Sequence, residues 1–350
     1  MRMSVPGAPR VELTRASDTG PAAARLPGHV RAARTDAAVL AVFAALAVFT
    51  ALHGSDFATT TAINFGLFTL LVASLQLMLG FANQASLAQA AVYGVGAYVA
   101  IYAEAHAGVP VPVAFLAAAG SGALLGLLIA LPLSRLREHF LAMGTLAGQV
   151  ILSTAFVHLT GFTGGVNGEA VPDSNLNSVP VLIVIFGCAT AAIAGLNHLR
   201  LSRLGRQVLA VKADETMAAS IGINVRMLRI TVIVVAFAMA AGAGCLFTET
   251  AGFVSPDDFT LTASLAVLVA VILGGRSVTW GTLAGAAAYS VLNAESTSLP
   301  GLSDLLLGIM LVIVLGYLPE GLTGVAVPAA WRARLHRVAK LPPAKQRPGS

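Results

Sequence analysis

Residues that could do chemistry are sparse in this sequence, and they concentrate in one polar stretch, residues 200–229, set between two strongly apolar runs. Asp214 is placed to cap a helix, because its side-chain oxygen can accept from a free backbone N–H one turn on, and Glu215 adds negative charge at the positive end of the helix dipole. Gly222 tolerates the left-handed conformation that ends a helix. The segment between them predicts a helix of about two turns, too short to hold itself in water, so it must rest on its neighbours or on a partner. Met217, Ala218 and Ile221, at i, i+1 and i+4, give it a small apolar face of the kind that enters a groove on another protein. The plain alternative is a solvated helix in a loop.

Catalysis finds no comparable constellation. The sequence has no GxxxxGKS/T loop to cradle nucleotide phosphates, and no HExxH, paired-cysteine or Gly-x-Ser-x-Gly signature. No catalytic residue, metal site or cofactor bound by this chain is predicted. Cys188 and Cys245 fall within apolar runs, where cysteine packs as a small hydrophobe. His158, near a helix end, reads as an interface residue.

What must position the polar stretch is a membrane bundle. Hydrophobic residues make up 57% of the 350-residue chain and charged residues 11%, with a mean hydropathy of +0.82, a balance foreign to soluble domains. The net charge of +5 does not imply a nucleic-acid partner. The basic residues sit in the tails and in short loops between apolar runs, the positive-inside pattern that orients a protein against membrane lipid.

The apolar runs predict an all-α polytopic membrane protein, a bundle of about ten transmembrane helices with a cytoplasmic coupling helix. They cover residues 36–53, 61–79, 87–104, 111–133, 140–159, 179–199, 230–248, 261–273, 279–292 and 305–318. The eighth and ninth are shorter than the ~20 residues of a full crossing, which predicts tilted, broken or re-entrant segments. Residues 1–36, rich in Pro, Gly, Ala and Arg, read as a disordered basic tail, residues 37–324 as the transmembrane domain, and 325–350 as a second basic tail. Arg25, Arg31 and Arg34 precede the first run and place both termini, and the 200–229 loop, in the cytoplasm. The first run reads as a retained helix, since its polar leader is longer than that of a cleaved signal. The GxxxG pairs Gly122/Gly126 and Gly281/Gly285 predict close helix packing within the subunit, with a dimerisation face as the alternative.

Two polar patches interrupt the apolar pattern. Asn83, Gln84, Ser86 and Gln89 stand where the second and third runs meet; their uncharged amides and hydroxyls suit either a path for a zwitterion or hydrogen bonds between helices. Thr163, Gly164, Gly165 and Asn167, in TGGVNG, either offer backbone N–H groups to a carboxylate or make a turn. Proton coupling needs ionisable residues deep in the bilayer, and the span centres have almost none; Glu249 stands at the outer end of the seventh span. A transporter of this composition needs an external engine.

Six stretches resemble one family, the branched-chain amino acid permeases of ABC importers, in their LivM-type form. ADETMAASIGINV is similar to the family's cytoplasmic loop, and GFANQASLAQAAVYGVGAY to its GYAGQLSLGHAAFFGIGAY, departing at Asn83 and Ala88, where the family usually has Gly, and at Gln89, where it usually has His. TGGVNG, GFVSPDDFT with VILGGRSVTWGTLAGA, and LPEGLTG also resemble family segments, with Glu320 where an Arg is frequent. The similarity runs in order from about Asn64 to Gly324.

The resemblance implies a permease subunit in a bacterial inner membrane, forming the translocation path for branched-chain amino acids. It implies as partners a second, LivH-like permease subunit, two cytoplasmic ATP-binding subunits that use the ATP, and an extracytoplasmic solute-binding protein. It makes Asp214, Glu215, Met217, Ala218, Ala219, Ile221, Gly222, Ile223 and Asn224 the coupling helix that docks on the ATPase. Other readings of the same residues are a permease for urea, amides or other amino acids, an ion-coupled secondary transporter acting alone, and a membrane scaffold.

Overall fold

The computed structural model describes residues 56–134, 138–171, 178–275 and 278–296, with four isolated positions between 38 and 45. Apart from those four positions, the expected spans at 36–53 and 305–318, both tails and the LPEGLTG motif lie outside the described residues.

Ten helices carry the fold of the described residues. They are α1 (Asp56–Leu75), α2 (Gln89–Ala107), α3 (Val111–Leu133), α4 (Glu138–His158), α5 (Ser178–Leu201), α6 (Arg203–Ala213), α7 (Glu215–Ser220), α8 (Val225–Thr248), α9 (Leu261–Gly274) and α10 (Val278–Ser296). Five stretches, Thr59–Phe81, Val111–Leu133, Phe140–His158, Pro180–Leu201 and Val225–Thr248, are helical, long and apolar enough to cross a membrane. At 14 residues α9 is too short to do so alone. The helix ends follow local chemistry. Pro110 precedes α3 in extended conformation, where a missing N–H costs nothing; Gly108, at φ 58°, closes α2; and the Thr260 hydroxyl accepts from the Ala263 N–H to start α9.

The bundle is organised around α8, which packs chiefly on α3 and α2 and also on α1. Its centre reads AMAAGAGC, and the small residues let backbones touch. A methyl added at Gly244 would stand 2.0 Å from the Tyr93 carbonyl oxygen, one at Gly96 1.9 Å from that of Ala241, and one at Gly122 2.4 Å from that of Phe237. The GxxxG of α3 is therefore spent on α8 inside this chain. On α10 a methyl at Gly285 would lie 2.1 Å from the Ala270 oxygen, so its GxxxG closes the α9–α10 hairpin. Aromatic packing of Tyr98, Phe156 and Phe259 joins α2 and α4 to the segment before α9.

α8 also defines the two ends of the molecule. The near end carries α6, α7 and the junctions after α1, α3 and α5. At the far end a two-residue antiparallel pair joins β1 (Glu169–Ala170) to β2 (Phe253–Val254), followed by a 3-10 turn whose start is held by a reciprocal Ser255–Asp258 capping box.

Gly244→Val sets a branched side chain against backbone that cannot retreat, a cost of about 1–3 kcal/mol or more. Thermal unfolding of the detergent-solubilised protein is expected to show a lowered midpoint for Gly244→Val and Gly96→Val, with Gly195→Val, whose site is open, close to the parent.

Candidate functional site

The near-end loop is built by successive caps. Ser202 starts α6 by accepting from the Gly205 N–H at 3.1 Å. Leu204, Val208 and Val211, at i, i+4 and i+7, give α6 an apolar side of which Val208 is buried. The capping signals at Asp214 and Gly222 do not reveal this helix, whereas its own apolar spacing does. Asp214 then ends α6 through its own N–H, which donates to the Ala210 oxygen at 3.1 Å, and caps α7 by accepting from the Met217 N–H at 2.9 Å.

The end of α7 is a Schellman turn. Gly222 sits at φ 86°; its N–H donates to the Ala219 oxygen at 3.0 Å, and the Ile223 N–H donates to that of Ala218 at 3.2 Å. Glu215 pairs with Arg229 of α8 at 2.8 Å, which ties the short helix to the bundle. Two assignments change. Ala218 is 1% exposed and turns inward, so the outward apolar surface is Met217 and Ile221, at 67% and 70% exposed, with Ala219 beside them. Asn224 is not part of this helix; it caps α8, accepting from the Met227 N–H at 3.1 Å. Ile223 packs against the main core.

Behind α7 lies a cavity of about 170 Å³, lined among others by Asn83, Gln84, Ser134, Lys212, Asp214 and Arg229. Two patches that are far apart in sequence thus share one space. Lys212 donates its ammonium to the carbonyl oxygen of Gly80, and Arg226 donates to the Ser134 hydroxyl at 3.1 Å, holding the end of α3.

Gly80 belongs to a π-helical turn, Gln76–Phe81, into which α1 runs, and the chain then leaves helix until Gln89. α2 therefore begins inside the bundle, where its first N–H groups have no water and no intrahelical acceptor. Side chains supply the acceptors. Ser86 takes the Ala88 N–H at 3.3 Å, Ser264 of α9 that of Ala90 at 2.9 Å, and Gln149 of α4 that of Ala91 at 3.0 Å. Thr145 takes the Leu87 N–H at 3.1 Å. Gln149 also accepts from the Ser264 hydroxyl at 3.0 Å and donates to the Phe259 oxygen at 2.8 Å. The one clue to these partners in the sequence was an isolated amide inside an apolar run.

Gln84, Ser86 and Gln89 are buried, and Gln89 donates to the Ser74 hydroxyl at 2.7 Å. Asn83 is exposed and adopts φ 55°. The second patch stands apart, at the far end. Gly164, Gly165 and Gly168 all have positive φ, and a methyl at Gly168 would meet the Phe253 ring at 2.5 Å. Thr163 is buried and donates to the Phe156 oxygen at 2.5 Å, while Asn167 is exposed. The segment is a turn folded onto its own neighbours. Glu249, at the end of α8, is buried. Among the described residues no three His, Cys, Asp or Glu side chains gather to hold a metal ion.

Apolar helices locked by backbone contact, a helix broken inside the bundle and an exposed capped loop helix define a multi-pass α-helical membrane protein. Residues 57–315 match the family model described as branched-chain amino acid transport system / permease component. The chain belongs to that family. It is 29% identical to the high-affinity branched-chain amino acid transport system permease protein LivM of Escherichia coli, over 76% of this chain and 69% of the relative. It is 26% identical to the corresponding LivH of Salmonella typhimurium, over 61% of this chain and 68% of that protein. A probable LivM of Methanocaldococcus jannaschii is 24% identical, over 57% and 64%. No solved structure matches the chain.

Gln149→Leu keeps the volume and removes the acceptor of Ala91 and the donor to Phe259, leaving buried backbone groups unpaired at about 1–3 kcal/mol. The expected result is a lowered unfolding midpoint that Gln149→Glu, which keeps an acceptor, partly restores.

Proposed function

We propose that this chain is a permease subunit of an ATP-driven ABC importer and forms part of the translocation path for branched-chain amino acids. The observation that carries the reading is the α7 loop helix. It is capped at both ends and pinned to α8 through Glu215 and Arg229, yet it presents Met217 and Ile221 outward. Apolar side chains held out on a preorganised helix suit a partner's groove, since little order remains to be lost on docking. The partner proposed is an ATP-binding subunit on the cytoplasmic side, one of two.

Similarity to both LivM and LivH relatives supports a permease pair, with a LivH-like chain as the second subunit. An extracytoplasmic solute-binding protein completes the proposed assembly. The membrane is the bacterial inner membrane, with both termini in the cytoplasm. ATP is hydrolysed by the partners, and this chain is a non-enzymatic conduit whose helices exchange inward- and outward-facing packings as the ATPases close.

Reconstitution tests this directly. Uptake of leucine, isoleucine or valine into proteoliposomes is expected to require ATP, both permeases, both ATPases and the binding protein. Gradient-driven uptake by the single purified chain, with no ATPase present, would overturn the reading. Within the complex, Asp214→Ala with Glu215→Lys removes the α7 cap and the tie to Arg229, and is expected to abolish uptake at normal expression. Met217→Lys with Ile221→Lys is expected to stop the ATPase from co-purifying with an otherwise folded permease.

A further inference from the structure

We infer that Lys212 is the strut through which the near-end loop moves the broken segment between α1 and α2, and that this segment is the part of the chain that changes conformation during transport. The inference rests on the reading of the chain as an ATP-driven permease and names the mechanical route inside it.

Three observations meet at this point. Lys212 lies in the last turn of α6, directly before the Asp214 cap of α7, so displacement of α7 must be felt by it. Its ammonium donates to the Gly80 carbonyl, which stands at the end of the π-helical turn, where the ordinary helical acceptor pattern has lapsed. An ammonium on a part-buried carbonyl makes a charge-assisted bond, stronger than a neutral one, and suits a contact that transmits movement between two elements.

The segment it grips carries buried polar groups that its present conformation leaves unsatisfied. Gln76, Gln84 and Gln89 are each buried, and the side-chain oxygen of each finds no hydrogen-bond donor among the described residues. Asn83, between them, holds a left-handed backbone. Buried acceptors left without donors cost about 1–3 kcal/mol each. Three of them around one break mark a conformation that another arrangement of the same segment relieves, the property of a two-state element. The other side of the turn is anchored as well, since Gln76 donates to the Gly275 oxygen at 3.2 Å, where α9 ends. The π-helical turn is thus gripped by the coupling loop on one side and the α9–α10 junction on the other, so a shift of α7 is transmitted to the start of α2.

Lys212 is a positioning residue, and its test separates transmission from docking and folding. In the reconstituted complex, Lys212→Met keeps the chain length and removes the donor. It is expected to assemble and to hydrolyse ATP near the parent rate while uptake falls by about tenfold, and Lys212→Arg is expected to recover most of it. A second readout uses Ala82→Cys in a chain with Cys188 and Cys245 replaced by Ala. Its labelling rate is expected to differ between nucleotide-free and nucleotide-bound complexes, and Lys212→Met to erase the difference. Parent-like uptake by Lys212→Met, or a nucleotide-dependent labelling difference that survives it, overturns the strut. Should Lys212→Met fail to assemble, labelling of Ala82→Cys with Lys212 intact decides, and no dependence on nucleotide overturns the proposal. Uptake that persists without the ATPases defeats the importer reading itself, whereas ATP-dependent uptake indifferent to Lys212 defeats only the strut.

Discussion

Inside a membrane bundle every backbone N–H and C=O must find its partner within the protein, and in this chain that constraint presses hardest on residues 82–88. There α1 has ended in a π-helical turn, α2 has not begun, and the N–H groups of Ala88, Ala90 and Ala91 at its start turn to side-chain acceptors. The rest of the architecture accommodates that break. Thr145 and Gln149 come from α4 and Ser264 from α9, and Gln149 alone connects the start of α2 to the carbonyl of Phe259. Removal of one of these side chains would leave a buried main-chain group without an alternative, so the positions of α4 and α9 are set by hydrogen bonding as well as by apolar packing.

A second consequence concerns α8. Lipid gives helices no hydrophobic reason to associate, so contact depends on how closely they can approach. Gly96, Gly122 and Gly244 bring α2 and α3 to backbone contact with α8, and the result is a closely packed three-helix unit. The loop helices join the same unit, because Asn224 caps α8 and Arg229, one turn in, holds Glu215. The cavity beside α7 is where this unit faces the 82–84 segment, a part of the chain less well satisfied.

The family relationship gives these features a common setting without making the chain a copy of its relatives. Gln89, for example, commits its amide to Ser74 on α1. A buried amide can give a proton in a hydrogen bond but cannot change charge near neutral pH, so this contact is indifferent to acidity in a way that an imidazole is not.

Helix type, and most helix limits, were present in the sequence because they follow from local chemistry: apolar run length, prolines at entry, glycine at exit, and the Asp214 and Gly222 caps around α7. The turn at Gly164–Gly168 and the shortness of α9 belong to the same class. Other properties were decided only when distant segments met. Whether Ala218 or Met217 faced outward depended on how α7 lies on α8. Asn224 was claimed by the next helix because its side chain reached Met227. Gln149 and Ser264 became caps of α2 from 58 and 174 residues away, and Lys212 found Gly80 from 132. Periodicity and capping act between near neighbours in the chain, whereas a buried donor takes whatever acceptor the packed bundle brings to it, and no local pattern records that choice.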